Sequence, residues 1–461
     1  MQTSRNPSPS HRRTTADIQW WLDGKFGLFI HWGPASVAGV EIGWARMSHP
    51  YDHPGGTTVP DAEYDELYKQ FNPVAFDADA WMLTAKRAGM KYVVFTTKHH
   101  DGFANWHTRM SDYNIANTPF KRDICRELAD AAHRHDIKLG WYYSTRDWYH
   151  PDYLVGDNQK YNDFYHGQLR ELLTDYGKVD LLWFDHVSGT WADYRFKELF
   201  EMIYDLQPGI LVNNRAARFV FASTAGTPDP EIAELVEGDF DTPEGKIGVF
   251  KQDRPWETCM PMTHAPDGGG WSYRPEVQTS RFSDCTKMLA ACVTGCGNLL
   301  INIGPMSSGR IRPEELANLE AFGPWMQTYG ESIYGTRGGP YINGQWGGSA
   351  MKGDDLYLHI FDWGEDGTVT LPPLPRHVLA SHELGGEAVS CSQTTEALTL
   401  QLAGAKENDW HSVVRLRLAP GDDMPLIAVE GDLDAVLRQK QYAPVEDPLK
   451  DTRNAQSEGN N

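Results

Sequence analysis

The sequence predicts an α/β protein, a (β/α)8-like (TIM) barrel followed by a C-terminal antiparallel β-sandwich. Three observations carry that expectation. Apolar, β-rich runs alternate with helix-like stretches, the pattern of a parallel sheet with crossovers. Each run is followed at once by polar, aromatic or histidine residues, as strands are at the C-terminal rim of a barrel. No GxGxxG or GxxxxGK[ST] turn follows any of them, which disfavours a doubly wound nucleotide-binding sheet.

The runs come in order. Gly27-Leu28-Phe29-Ile30-His31-Trp32-Gly33 is first, then Tyr92-Val93-Val94-Phe95-Thr96-Thr97-Lys98 leading into His99-His100-Asp101-Gly102. Lys138-Leu139-Gly140-Trp141-Tyr142-Tyr143-Ser144, Val179 to His186, Ile210 to Arg215 and Asn298 to Pro305 follow. Helix-like stretches at 61–71, 78–89, 123–135, 162–176 and 194–206 separate them. Strands six and seven have no clear run between Gly238 and Met262, so an irregular barrel is expected there. Beyond the long helical stretch Pro313 to Tyr334 the grammar changes to short alternating runs, Leu356 to Phe361, Gly367 to Leu371, Ala397 to Leu402 and Val413 to Leu418. Separated by Gly, Pro and Asp, these read as a sandwich. The expected organisation is a polar N-terminal segment (1–15), a catalytic barrel (16–337), a sandwich (338–431) and a polar tail without periodicity (432–461).

Composition narrows the function. A chain of 461 residues has room for a barrel plus a second module. A formal net charge of −21 argues against a nucleic-acid partner. The 16 Trp and 20 Tyr suit sugar sites, where pyranose faces pack on aromatic rings, although most will be core. Cysteines at 125, 259, 285, 292, 296 and 391 form no CxxC pair and no zinc-type spacing, and the i, i+7, i+11 set from Cys285 reads as buried helix. Residues 1–15 lack an apolar h-region and no stretch is long and apolar enough to span a membrane. A cytoplasmic location is expected, or a periplasmic or secreted one if a leader has been removed.

Leu181-Leu182-Trp183-Phe184-Asp185 is the most informative run. Side chains alternate along a strand, so Trp183 and Asp185 share a face. On an inward face, Asp185 stands at the rim with an aromatic floor beneath it; alone, it could equally cap the following turn.

Phe29-Ile30-His31-Trp32-Gly33, Lys98-His99-His100-Asp101-Gly102-Phe103, Trp141-Tyr142-Tyr143-Ser144, Leu182-Trp183-Phe184-Asp185, Trp256-Glu257-Thr258-Cys259-Met260 and Leu300-Ile301-Asn302-Ile303-Gly304-Pro305 together resemble the α-L-fucosidases of glycoside hydrolase family 29. The match runs in order from about Trp20 to Tyr334. It implies a retaining, exo-acting α-L-fucosidase that needs no metal or cofactor and takes a fucosylated oligosaccharide or glycoside. Homo-oligomers are common in the family, though no segment here advertises an interface. Asp185 takes the place of the nucleophile, a carboxylate able to attack the anomeric carbon and leave again. For the acid/base, the segment Gly238 to Glu244 favours Glu244, with Glu257 as runner-up and Glu41 a distant third. The resemblance assigns hydroxyl contacts to His31, Trp44, His99, His100, Tyr143 and Arg215, and puts Trp183 beside the nucleophile. Phe29 and Trp271 are the expected wall for the C6 methyl. One of the adjacent histidines, pointing to the opposite face, would only brace the loop.

The chain also departs from the family. His186-Val187-Ser188-Gly189 follows the nucleophile where a glycine is common, Asn214 precedes Arg215 where an Asp is usual, and Trp271-Ser272-Tyr273 replaces Trp-Gly-Tyr. The loop from Ala45 to Pro60 is also distinct. These changes keep open a related exo-glycosidase acting on an α-L-galactoside, and a catalytically silent carbohydrate-binding homologue. A metal-dependent hydrolase is weaker still, because His99-His100-Asp101 lacks helical ligand spacing.

Overall fold

The structure is a computed structural model describing residues 15–46, 59–185, 188–217, 229–266, 269–386, 388–403 and 411–442. Residues 1–14, most of the distinctive loop after Ala45, and His186 with Val187 lie outside the described residues. Seven strands form one parallel sheet: β1 (Phe26–Ile30), β2 (Tyr92–Lys98), β3 (Lys138–Ser144), β4 (Leu181–Asp185), β5 (Leu211–Val212), β6 (Glu257–Pro261) and β9 (Asn298–Ile303). Their order is β5-β4-β3-β2-β1-β9-β6. A small antiparallel pair, β7 (Thr263–His264) and β8 (Gln278–Thr279), stands beside it.

The irregular stretch expected after Gly238 is where the barrel closes. Residues 239–244 make parallel bridges to both free edges, Asn213↔Phe240 on the β5 side and Asp241↔Trp256 and Glu244↔Cys259 on the β6 side. Backbone bonds from Asp239 N to Val212 O (2.6 Å) and from Glu257 N to Asp241 O (2.9 Å) hold this stave in place. Its Pro243 explains why no clean strand was legible, since proline cannot donate to a ladder.

Alternation sets the two faces of the barrel wall. Phe29, Tyr92, Val94, Tyr142, Leu181, Trp183, Leu211, Phe240, Cys259 and Leu300 pack together inside. The intervening Leu28, Ile30, Trp141, Tyr143, Leu182 and Phe184 pack outward against the helices. Those helices include Ala78–Arg87, Ile124–His135, Asn158–Thr174 and Phe196–Leu206. Three of the four begin with an aspartate (Asp77, Asp123, Asp157) whose side chain accepts a first-turn N–H, satisfying a donor the helix itself cannot. Cys285 and Cys292 lie buried in the helix Phe282–Thr294, whereas Cys296 falls just beyond it.

After the helix Pro313–Tyr329 the chain enters two antiparallel sheets. One is β10 (Arg337–Gly338), β11 (Gly347–Lys352), β12 (Asp355–Ile360), β17 (Ser412–Leu418) and β14 (Val378–Glu383), in the order β10-β11-β12-β17-β14. The other is β13 (Thr368–Leu371), β16 (Leu398–Leu402) and β15 (Val389–Gln393), in the order β13-β16-β15. Leu356, Leu358, Ile360, Val414 and Leu416 meet Val369, Leu371, Leu398 and Leu400 between the sheets. The opposite face, with Ala350, Tyr357 and Val413, joins the core around the barrel helices. Residues Leu433–Tyr442 form a helix, where a stretch without periodicity was expected. Val436 and Leu437 on that helix are half-buried.

Candidate active site

The rim is assembled from strand ends. On β4, Leu181, Trp183 and Asp185 face inward, so the carboxylate tops an indole floor. Phe29 on β1 leads to His31, and the register Tyr142↔Trp183 and Ser144↔Asp185 sets β3 on the same layers. Glu244 ends the irregular stave, fixed by Gly245 N→Cys259 O (3.2 Å) and Cys259 N→Pro243 O (3.3 Å). These elements enclose an open-mouthed pocket at the barrel rim. Phe29, His31, Trp44, His99, Tyr142, Trp183, Asp185, Arg215, Glu244, Cys259 and Trp271 line it.

Arg215 organises the charges. Its Nη1 donates to Asp185 Oδ1 at 2.9 Å and to Glu244 Oε2 at 2.8 Å. Its Nε and Nη2 donate to Thr242 Oγ1 (2.7 Å) and Thr242 O (2.9 Å), and its guanidinium lies 4.6 Å from the centre of the Trp183 ring. Burial opposes the guanidinium's charge, but Glu244 and Asp185 more than offset it, and its pKa rises. Asn214, at the position where an Asp was expected, bonds Asp241 Oδ1 at 3.1 Å and accepts from Thr242 Oγ1 at 2.9 Å. It thereby braces the stave that carries Glu244. The side chain of Asp185 is 11% exposed and that of Glu244 38%, so one carboxylate lies deep and the other faces the mouth.

The histidines divide their work. His31 Nδ1 pairs with Asn302 Oδ1 at 2.7 Å, and the Asn302 amide nitrogen is committed to Trp271 O at 2.7 Å. The Asn302 oxygen therefore accepts from Nδ1–H, leaving His31 Nε2 as an acceptor. Burial lowers the His31 pKa to about 4, so the ring is neutral at ordinary pH. His99 lines the pocket, stacked on Tyr142 at 5.5 Å. His100 instead packs edge-on against Trp44 and Trp148, bonds Ser144 Oγ through Nδ1 at 2.6 Å, and brings Nε2 to 3.8 Å from Asp185 Oδ2. The loop carrying Trp44 comes close to His99 because Gly43 has φ +69° and no side chain; a Cβ there would meet His99 Nδ1 at 2.5 Å.

Three expectations from the sequence are corrected. Tyr143 points outward and donates to Gln168 Oε1 at 2.8 Å; Tyr142 is the tyrosine in the pocket, donating to Asp185 Oδ2 at 2.9 Å. A parity signal was present in the sequence, because the polar strand-end residue Ser144 shares its face with Tyr142. Glu257 lies fully buried under the floor, accepting from Trp183 Nε1 (3.2 Å), Trp21 Nε1 (3.3 Å) and the Tyr92 hydroxyl. Being at the first position of β6, it belongs to the layer below Cys259. Glu41 is committed to the backbone N–H groups of Gly270 (2.7 Å) and Ser272 (3.0 Å), anchoring the loop of Trp271. Burial raises its pKa.

His99, His100 and Asp185 bring one potential ligand atom each within 4.8 Å of one another, the set among the described residues that could hold a metal. Both Asp185 oxygens already accept, from Arg215 and Tyr142, and Arg215 supplies positive charge at the same spot. The donor set fits hydroxyl recognition better than a cation. No helix among the described residues is long and apolar enough to cross a membrane.

Comparison with known proteins identifies the family. The family model for alpha-L-fucosidase matches residues 2–331. An alpha-L-fucosidase of Branchiostoma floridae is 30% identical over 76% of this chain and 80% of its own length. The alpha-L-fucosidase isoenzyme 1 of Paenibacillus thiaminolyticus superposes with a TM-score of 0.75 at 34% identity, covering 88% of this chain and 99% of that one. A family 29 alpha-L-fucosidase of Bacteroides thetaiotaomicron, described as a trapped covalent intermediate with 2-fluoro-fucosyl fluoride, superposes at 0.72 with 26% identity, covering 90% and 98%. The chain belongs to the α-L-fucosidases of glycoside hydrolase family 29.

Proposed function

We propose that this protein is a retaining, exo-acting α-L-fucosidase in which Asp185 is the nucleophile and Glu244 the acid/base. One observation carries the reading: a single nitrogen, Arg215 Nη1, donates to both carboxylates. The two bond lengths together keep the accepting oxygens less than about 6 Å apart. Retaining glycosidases need about 5–5.5 Å between the groups, whereas inverting enzymes need at least about 6.5 Å to admit a water.

Exposure supports the assignment of roles. The deeper Asp185 lies under the sugar, with Tyr142 and Arg215 holding its oxygens. There it attacks the anomeric carbon as the glycosidic bond breaks. Glu244, toward the mouth, gives its proton to the departing oxygen and later takes one from the water that releases the sugar. His31 and His99 meet the hydroxyls, and Phe29 and Trp271 form an apolar wall for the C6 methyl. The pocket ends on the Trp183 indole, which suits one terminal sugar and exo action. The relative described as a trapped covalent intermediate supports double displacement.

The test is the anomer first released from an aryl α-L-fucoside, followed by NMR before mutarotation. Retention gives α-L-fucose, and Asp185→Ala with azide should yield the β-fucosyl azide. First release of the β anomer would remove the nucleophile assignment. Fucose binding without turnover by the wild type would leave a carbohydrate-binding homologue.

A further inference from the structure

We propose that Glu257 is a positioning residue for this active site, acting through the Trp183 indole. The inference rests on the functional reading above and deepens it. Glu257 does not itself line the pocket, yet it is fully buried and accepts three hydrogen bonds, from Trp183, Trp21 and Tyr92. A buried acid on a barrel strand is costly unless its neighbours satisfy it, and here each neighbour is a donor.

The bond to Trp183 Nε1 favours the ring flip in which the buried indole N–H meets this acceptor. That flip sets the face presented to Arg215, 4.6 Å from the ring centre, and to Tyr142, stacked on it at 5.7 Å and 21°. Arg215 holds both carboxylates and Tyr142 holds Asp185. The alignment of nucleophile and acid/base is thereby tied to a carboxylate one layer below the floor.

Only a carboxyl group suits this place. Glutamine has one acceptor oxygen, so its NH2 would oppose one of the two indole N–H groups. The titratable groups facing Glu257 are Tyr92 on β2, Cys259 on its own strand and Cys292 on the helix Phe282–Thr294. Burial raises all three pKa values, so they stay neutral around pH 7. Burial raises that of Glu257 itself to about 7, against the hydrogen bonds of Tyr92, Trp183 and Trp21.

The test is a double-mutant cycle on aryl α-L-fucoside hydrolysis with Glu257→Gln and Trp183→Phe, the second removing the indole N–H. Glu257→Gln should lower kcat/KM by about 10–100-fold, mostly in kcat, without rescue by azide. In the Trp183→Phe background the same change should cost little more. Additive penalties would overturn the inference, and azide rescue would make Glu257 the acid/base instead. The link can also be read without substrate. The Trp183 indole 15N–1H resonance, assigned by its loss in Trp183→Phe, should titrate near pH 7 in the wild type and not in Glu257→Gln. A resonance at the same position in the wild type and in Glu257→Gln overturns the inference. A wild type that does not hydrolyse the fucoside overturns only the functional reading, and the resonance still decides the link.

Discussion

Tyr142 donates its hydroxyl to Asp185 Oδ2 at 2.9 Å, while its neighbour Tyr143 donates to Gln168 on the far side of the same strand. The two tyrosines should therefore fail differently. Tyr142→Phe removes a hydrogen bond to a charged oxygen, worth about 1.5–3 kcal/mol, and should reduce kcat/KM by roughly 10–100-fold with little change in unfolding midpoint. Tyr143→Phe should leave kinetics near wild type and cost about 1 kcal/mol of stability by leaving Gln168 unpaired. Steady-state kinetics and denaturant unfolding on both variants separate them, and equal kinetic losses would contradict the parity.

Arg215→Lys should be severe despite conserving charge. An ammonium cannot reproduce a planar fork that serves Asp185, Glu244 and Thr242 at once. Breaking such a buried pairing costs about 3–5 kcal/mol, so kcat/KM should fall at least about 100-fold. Activity within threefold of wild type would remove Arg215 as the organiser of the two carboxylates.

Sugar choice should follow the apolar wall. A methyl against such a wall discriminates by only about 1–3 kcal/mol, so the wild type should prefer an α-L-fucoside over the matching α-L-galactoside by about 10–200-fold. Trp271→Leu, at the half-buried edge of the pocket, should narrow that ratio. An unchanged ratio would put the methyl elsewhere.

Acid should loosen the junction of barrel and sandwich. His359 on β12 and His411 form a buried pair, Nδ1 to Nε2 at 3.1 Å, with Trp325 of the barrel packed on His411. Burial lowers the His359 pKa to about 4, so it stays neutral when folded but takes up a proton below about 6.5 when unfolded. The unfolded state binds more protons in that window, so this contribution is complete above about pH 6.5 and is lost as pH falls toward 4. Glu257 and Glu315, both raised to about 7 by burial, act in the opposite sense and flatten the overall curve. The stability difference between wild type and His359→Asn isolates the histidine. It should shift in favour of the variant by about 2–3 kcal/mol between pH 7.5 and 4.5. A difference independent of pH would reject the assignment.

Much of this site was legible in the sequence because strands alternate. An apolar run ending in a polar residue marks a rim position, and that logic located His31, Trp183 and Asp185. It failed where alternation was misphased, at Tyr143, and where it was masked. Residues 239–244 contain a proline and pair through isolated bridges, so no strand pattern reported that Glu244 ends a stave. Trp256-Glu257-Thr258 resembled an active-site motif, yet depth along the strand, which no local pattern carries, put Glu257 below the floor.

The sequence by itself determined the alternation of strands and helices, the switch to antiparallel sheets and the family, since these depend on periodicity and on residues near one another in the chain. Only the tertiary structure decided which tyrosine reaches Asp185, which glutamate faces the mouth and which lies beneath Trp183. Those outcomes depend on register between strands and on closure of the barrel, where residues far apart in sequence compete for the same buried donors and acceptors.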